Sequence, residues 1–171
     1  MSKVRLATVW LDGCSGCHMS FLDIDEKLLA LADAIDLVYS PLVDAKEFPD
    51  EVDVTIVEGA VSSDEDLHKA RKIRAQSKIL VSLGDCAVTG NIPAMRNPIG
   101  TAAITERGYR GALPTADVPK LLDKVYPVHH VIDVDVHVPG CPPSADTIHY
   151  VLTELLAGRK PELMGHTRFG A

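Results

Sequence analysis

The stretch that decides the fold is Val4-Arg5-Leu6-Ala7-Thr8-Val9-Trp10-Leu11-Asp12-Gly13-Cys14-Ser15-Gly16-Cys17. Its first eight residues are β-rich and mostly apolar, as in a strand that is buried on both faces of a parallel sheet. A glycine-bearing loop with two cysteines follows directly. The same order, an apolar run and then a glycine and a cysteine, returns at residues 78–86 and 131–141. We therefore predict that three strands end next to cysteine-bearing loops.

Strand-like and helix-like segments alternate along the rest of the chain. Strands are predicted over residues 4–11, 37–42, 53–57, 78–83 and 131–138. Helices are predicted over residues 20–36, 63–76, 118–126 and 144–157, with an irregular stretch holding one short helix at 90–116. Such alternation predicts an α/β fold, namely a flavodoxin-like doubly wound parallel sheet with helices on both faces. The length of 171 residues suits a single domain over residues 1–171.

The four cysteines of the chain are Cys14, Cys17, Cys86 and Cys141. Ligands of open α/β sheets gather beyond the carboxyl ends of the strands, so we expect the four thiols to meet at that edge. One cubane iron–sulfur cluster requires four thiolates. The glycines beside the cysteines allow the backbone to approach the sulfurs closely and to direct N–H groups at them. The pattern favours one [4Fe–4S] cluster at the carboxyl edge of the sheet.

Three other interpretations of the cysteines stay open on spacing alone. Structural zinc sites usually have two CxxC knuckles, and this chain has one. A thioredoxin-like dithiol would use Cys14 and Cys17 but would leave Cys86 and Cys141 without a role. Four unrelated thiols would pack as small hydrophobic side chains, which does not explain why all four lie in glycine-flanked loops.

Composition and charge exclude several functional classes. The net charge of −7 argues against a nucleic-acid surface, which requires a basic face. No apolar run approaches the roughly 20 residues that span a bilayer, and the N-terminus lacks the pattern of an export signal. These features predict a cytoplasmic protein with no membrane and no nucleic-acid partner. Disulfides are rare in a reducing compartment, so cysteines there favour metal or redox chemistry.

Four motifs carry a family resemblance: Leu11-Asp12-Gly13-Cys14-Ser15-Gly16-Cys17, Val57-Glu58-Gly59, Gly84-Asp85-Cys86-Ala87 and Pro139-Gly140-Cys141-Pro142-Pro143. Together they resemble the N-terminal, flavodoxin-like part of the small subunit of [NiFe] hydrogenases. The resemblance covers nearly the whole chain. It implies that the four cysteines bind the proximal [4Fe–4S] cluster, close to the Ni–Fe centre of a large subunit.

Within this family, the chain is most similar to the short, soluble NAD-reducing type. The features that indicate this type are the sequence over residues 87–97, the missing export signal and the absence of further cysteines. That type implies the reaction H₂ + NAD⁺ ⇌ NADH + H⁺. The chain would pass electrons between the Ni–Fe site of the large subunit and diaphorase subunits that carry FMN and further clusters. It lacks the paired CxxC ligands of nickel, so it would have no H₂-activating site of its own.

Related members of the family are the alternatives. They are the small subunits of coenzyme-F420-reducing and H₂-sensing hydrogenases, and the cluster-bearing subunit of respiratory complex I. The complex I subunit has adjacent cysteines in its first motif, whereas two residues separate Cys14 from Cys17 in this chain. This spacing argues against the complex I assignment.

Among the other residues, Glu58 is the main candidate, because it ends a predicted strand at the cluster edge. It is a hypothetical proton relay or redox-dependent iron ligand, and otherwise a loop acid. His18 is expected either to donate a hydrogen bond to a sulfur or to lie on the surface. FMN is not expected on this chain, because the cysteines occupy the loop that cradles phosphate in flavodoxins. The remaining candidates are expected to cap loops, to pack near the cluster or the partner, or to be structural: Asp12, Asp85, Trp10, His129, His130 and His137.

Overall fold

A parallel sheet and the helices that cover it make up the computed structural model, which describes residues 3–170. Within that range the strands are β1 (Val4–Trp10), β2 (Ile35–Tyr39), β3 (Val52–Glu58), β4 (Val61–Ser63), β5 (Ser77–Leu83), β6 (Leu121–Tyr126) and β7 (Val136–Val138). The helices are α1 (Gly16–Leu22), α2 (Lys27–Leu31), α3 (Asp64–Gln76), α4 (Gly84–Thr89), α5 (Asn91–Ala94), α6 (Thr101–Tyr109) and α7 (Ala145–Leu156), with a 3₁₀ turn at Val128–His130.

The main sheet has five parallel strands in the order β2-β1-β3-β5-β7. Counted along the chain, these strands are arranged 2-1-3-4-5, which is the flavodoxin-like doubly wound order. The fold predicted from the alternation of segments is thus confirmed. The register pairs Trp10 with Glu58, Glu58 with Leu83, and Leu83 with Val138. Four strands therefore end in one row, and the loops that follow them begin at the same edge.

Both faces of the sheet are buried, which explains why its strands are apolar throughout rather than alternating. Helices α1 and α7 cover one face, where Phe21 and Ile148 pack against residues of β1, β3, β5 and β7. Helix α3 covers the other face, where Ala70 and Ile73 are fully buried. None of the helices between residues 3 and 170 combines the length and the apolar character needed to cross a bilayer.

Helix boundaries follow the capping chemistry at two predicted sites. Ser63 caps α3, where its hydroxyl accepts from the N–H of Asp66, and the Asp66 carboxylate accepts in return from the N–H of Ser63. Ser144 caps α7 through its hydroxyl, which accepts from the N–H of Thr147. Gly158, in the left-handed region at φ 71°, follows the end of that helix. The helices predicted over residues 63–76 and 144–157 are confirmed.

The single helix predicted over residues 20–36 is wrong. The chain forms α1 and α2 instead, separated by a turn in which Asp25 adopts φ 54°. An aspartate tolerates this left-handed conformation, which ends a helix. Ile35 then begins β2, earlier than the predicted strand over residues 37–42, because its pairing with Val4 of β1 outweighs the helical periodicity.

The helix predicted over residues 118–126 is also wrong. Residues Leu121–Tyr126 form β6, which pairs antiparallel with β4 beside the main sheet. A short apolar run is ambiguous between helix and strand, and here pairing with a distant segment decides the outcome.

Only the last part of the strand predicted over residues 131–138 forms a strand, namely β7. Asp135, directly before β7, forms two hydrogen bonds with Leu80 of β5. Its backbone N–H donates to the Leu80 carbonyl, and its carboxylate accepts from the Leu80 N–H, where regular strand pairing would use backbone groups alone. The stretch over residues 90–116 contains two short helices, α5 and α6, rather than one.

Candidate functional site

The loops that follow β1, β3, β5 and β7 surround one pocket at the carboxyl edge of the sheet. The pocket has a volume of about 90 Å³. Its lining residues are Gly13, Cys14, Ser15, Gly16, Cys17, Glu58, Gly59, Asp85, Cys86, Gly140, Cys141 and Pro142. The structure thus brings together all four cysteines from three distant parts of the chain. The pocket lies at the β1/β3 switch point, where ligands of this fold bind.

The first cysteine pair is shaped by a tight turn before α1. Ser15 adopts φ 60° between Cys14 and the helix. Gly16 leaves room for the Cys14 sulfur, because a Cβ on this glycine would lie 3.3 Å from Cys14 Sγ. Cys14 is exposed, whereas Cys17 on the first turn of α1 is half-buried and packs against the apolar core. The turn therefore places one thiol at the rim of the pocket and one at its floor.

Gly84 makes room for the sulfur of Cys17. It adopts φ 84°, and a Cβ at this position would lie only 2.3 Å from Cys17 Sγ. No side chain fits in that space, so the close approach of β5 to α1 requires glycine. Cys86 lies two residues further on in α4 and is half-buried. The glycine before the third cysteine is therefore part of the construction of the pocket.

Asp85 ties the two remaining cysteine loops together. Its backbone N–H donates to Gly140 O at 2.8 Å, and its Oδ1 accepts from the Gly140 N–H at 2.7 Å. Its Oδ2 accepts from the N–H of Gly170 at 2.7 Å, so residues near the end of the chain pack onto the same loops. Asp85 is 6% exposed. The aspartate expected to cap a loop thus clamps the Cys86 loop to the Cys141 loop.

The electrostatics of the pocket disfavour free thiolates at Cys17 and Cys86. Burial raises the pKa of the Cys17 thiol above its ordinary range, and the nearby Glu58 carboxylate raises it further. Burial also raises the pKa of Cys86, and the neighbouring Cys141 and Cys14 act in the same direction. No lysine or arginine is among the residues that line the pocket. Iron ions supply the positive charge that such a set of thiolates lacks, so the residues present fit an iron–sulfur cluster.

Glu58 lies at the end of β3 and lines the pocket, although it is only 2% exposed. Its Oε2 accepts from the backbone N–H of His18 at 2.8 Å, and its Oε1 lies 3.2 Å from His18 Nδ1. The carboxylate is therefore hydrogen-bonded through Oε2, whereas neither Oε1 nor His18 Nδ1 has a hydrogen-bond partner among the described residues. A buried acid next to a set of thiols is unusual, because glutamate is almost never fully buried in proteins unless it is paired.

His18 neither donates to a sulfur nor lies on the surface, so both expectations for it are wrong. It is 7% exposed, and its Nε2 lies 2.9 Å from Thr8 Oγ1. The Thr8 hydroxyl in turn donates to Ser40 Oγ at 2.8 Å. A buried row of polar groups therefore runs from Glu58 through β1 to the end of β2. The sequence position of His18, at the start of a helix, did not reveal that α1 turns this ring inward.

The remaining predicted residues lie around the pocket or away from it. Trp10 is 45% exposed, and its indole N–H donates to Gly13 O at 3.3 Å. Asp12 forms a backbone bridge with Ala60. His129, His130 and His137 contact one another away from the pocket, with ring centroids 4.6 Å and 5.6 Å from His129. Within residues 3–170, no three His, Cys, Asp or Glu side chains converge as ligands of a single metal ion; the thiols instead line the pocket wall.

One residue at the pocket was not predicted from the sequence. Asn91 Nδ2 lies 3.5 Å from Cys141 Sγ. The signal that points to it is the Gly90-Asn91 pair, a turn dipeptide directly after a cysteine-bearing helix. Its contact with Cys141 depends on the tertiary fold, since fifty residues separate the two along the chain.

Comparison with known proteins gives a family and several relatives. The family model described as NADH ubiquinone oxidoreductase, 20 kDa subunit, matches residues 14–155. The delta subunit of the NAD-reducing hydrogenase HoxS from Cupriavidus necator is 41% identical, over 94% of this chain and 82% of its own length. A subunit of the F420-non-reducing hydrogenase from Methanothermobacter marburgensis is 42% identical over 94% of this chain. This chain spans only 56% of that relative.

A solved structure agrees with these relatives. A chain of an NAD⁺-reducing [NiFe]-hydrogenase in the H₂-reduced state superposes with a TM-score of 0.93 at 39% identity. The match covers 98% of this chain and 99% of that one. The resemblance to hydrogenase small subunits drawn from the four motifs is thereby confirmed. With most of its length matched by the family model, the chain belongs to the family of the 20 kDa subunit of NADH ubiquinone oxidoreductase.

Proposed function

We propose that this chain is the electron-transfer subunit of a cytoplasmic NAD-reducing [NiFe] hydrogenase. The observation that carries the proposal is the meeting of Cys14, Cys17, Cys86 and Cys141 at one pocket on the carboxyl edge of the sheet. The relationship to the HoxS delta subunit and to a chain of an NAD⁺-reducing hydrogenase supports it. The domain would be a single flavodoxin-like unit with one cluster site.

In this proposal the four cysteines are the ligands of one [4Fe–4S] cluster. Such a cluster, when bound, takes up and releases single electrons. Three features would hold the four sulfurs in place, namely the Ser15 turn, the close approach of Gly84 to Cys17 and the clamp at Asp85. The loop after β1 carries two of these cysteines, so we assign no FMN to this chain. Electrons would then pass between partners through one pocket.

We place the partners at the pocket rim. Apolar side chains are exposed next to the cysteine loops in sequence, at Trp10, Met19 and Ile92, where they are 45%, 58% and 63% exposed. Exposed apolar groups around a redox site are suited to a surface covered by another subunit. The proposed partners are a large subunit with the Ni–Fe centre and diaphorase subunits that carry FMN and further clusters.

A hydrogenase with another electron acceptor is the second candidate, because a subunit of an F420-non-reducing hydrogenase is as similar in identity as the HoxS delta subunit. The gamma subunit of a coenzyme F420 hydrogenase is also related, at 36% identity. The solved NAD⁺-reducing chain favours the first, since it is matched over 99% of its length. An acceptor assay separates the candidates. The anaerobically purified native complex should reduce NAD⁺ with H₂; reduction of another acceptor without NAD⁺ would reject the NAD-reducing assignment.

The cluster itself is tested by metal analysis of the full chain, purified without oxygen and supplied with iron and sulfide. We expect about four irons and four sulfides per chain, with the signals of a [4Fe–4S] cluster. A single bound zinc, or an absence of iron after this treatment, would reject the site. The outcome does not depend on the partners, so it is independent of the acceptor assay.

For Glu58 we propose a role as proton relay or as a ligand to one iron when the cluster is oxidised. The support is the position of Glu58 in the pocket lining, where its Oε2 accepts from the backbone N–H of His18 and its Oε1 has no hydrogen-bond partner among the described residues. The test is Glu58→Gln, which keeps the shape but removes the charge. We expect altered cluster spectra on oxidation and slower turnover. Spectra and turnover equal to those of the unmodified protein would leave Glu58 as a structural acid.

A further inference from the structure

A glycine turn places the Asn91 side chain beside the cysteine sulfurs. Gly90 adopts φ 87° at the end of α4, where its N–H donates to Cys86 O at 2.9 Å. A Cβ on Gly90 would lie 2.9 Å from the Cβ of Ala94, so α5 folds back tightly against the turn. Asn91 follows at φ 32°, a conformation that asparagine tolerates better than most residues. The turn therefore brings the Asn91 side chain within 3.5 Å of Cys141 Sγ.

One side-chain N–H donor reaches a cysteine sulfur from this turn. The side-chain amide of Asn91 lies 3.5 Å from Cys141 Sγ, although fifty residues separate the two along the chain. This contact depends on the amide at position 91, and a side chain without an N–H group would lose it.

Asn97, the other asparagine of this region, has a structural role. Both polar atoms of the Asn97 side chain are bonded to the backbone of Val125, which donates to Oδ1 at 2.8 Å and accepts from Nδ2 at 2.9 Å. Asn97 thereby connects the stretch over residues 90–116 to β6. Asn91 Nδ2 instead contacts a thiol in the pocket, and its residue is only partly buried. The two amides occur six residues apart but have different partners.

We propose that Asn91 is a positioning residue that raises the reduction potential of the cluster held by the four cysteines, an inference that rests on the proposed function. Reduction adds one electron to the cluster, with no bond formed or broken. The reduced cluster is the more negative form, so N–H donors on its sulfurs stabilise it more than the oxidised form. Hydrogen bonds to sulfur are one of the levers that set such potentials. The Asn91 amide would therefore favour electron uptake by the cluster.

The test compares midpoint potentials of the cluster in the full chain, purified and loaded anaerobically and titrated with EPR detection. Asn91→Gly removes the amide and keeps a residue that accepts the same backbone angle. Asn91→Asp keeps the shape but replaces the donor with a charged acceptor. Met95→Ala, an exposed position of the same turn region, is the matched control. Iron content and circular dichroism are recorded for each variant.

We expect a lower midpoint potential in Asn91→Gly, a still lower one in Asn91→Asp, and no change in Met95→Ala. Equal potentials in all forms, at normal iron content, would overturn the role of Asn91 and leave the proposed function untouched. Loss of the cluster from both Asn91 variants with intact secondary structure would also overturn it, in favour of a role in cluster assembly. A wild-type chain without any iron–sulfur signal would instead reject the proposed function.

Discussion

Replacing Gly84 with alanine should remove the proposed cluster, although Gly84 is not one of the proposed ligands. The backbone at φ 84° costs an L-residue roughly 1–2 kcal/mol. The new Cβ would also lie 2.3 Å from Cys17 Sγ, far inside contact distance. Rotation about the Cys17 side chain relieves that overlap at small cost, but it moves the sulfur away from its place in the pocket. The expected result is a modest loss of stability with a large loss of bound iron.

Gly111→Ala is the matched control. Gly111 adopts φ 83°, almost the same as Gly84, but a Cβ there would meet nothing within 4 Å. The control therefore carries the backbone strain without the contact to sulfur. Both variants should lose about 1–2 kcal/mol of unfolding free energy in urea, which a domain with typical stability of about 5–15 kcal/mol survives. Only Gly84→Ala should lose iron.

The assay is iron and sulfide per chain after anaerobic loading, together with urea unfolding of the unloaded chain. An unloaded Gly84→Ala chain that is folded and yet holds little iron supports the reasoning. Gly84→Ala could instead bind as much iron as Gly111→Ala and show unchanged cluster spectra. In that case Gly84 is not needed to keep the Cys17 sulfur in its place in the pocket. That outcome would refute the role assigned to the close approach of Gly84 and Cys17.

Two further changes test the packing around the site and the sheet. Asp85→Asn leaves only one acceptor oxygen for two backbone N–H donors, so we expect a loss of about 1–3 kcal/mol in urea unfolding of the unloaded chain; unchanged stability would show that the clamp does not hold the loops. The Lys78 side chain holds the pKa of Asp53 below its ordinary value. The ionised Asp53 carboxylate therefore stabilises the fold above about pH 4. This stabilisation is lost as the pH falls through the folded-state pKa of Asp53. The stability gap between the unmodified chain and Asp53→Asn, under about 1 kcal/mol for such an exposed pair, should narrow on acidification; a gap independent of pH would contradict this.

Much of the sheet could be predicted because its strands are encoded locally. Strands buried on both faces read as continuous apolar runs, and Ser63 and Ser144 mark helix starts by their capping chemistry. The failures lie where distant pairing decides. The early start of β2 at Ile35 and the strand at residues 121–126 depend on partners in β1 and β4, which no local window contains.

By itself, the sequence determined the order of the five strands of the main sheet, the four cysteines at strand ends, and the motifs that place the chain in its family. Only the tertiary structure decided how these parts meet. The register that aligns Trp10, Glu58, Leu83 and Val138 brings the cysteine loops to one pocket, and it also turns His18 toward Glu58. The physical reason is that strand and turn preferences act over a few neighbouring residues. Contacts across the sheet depend instead on how whole strands are paired.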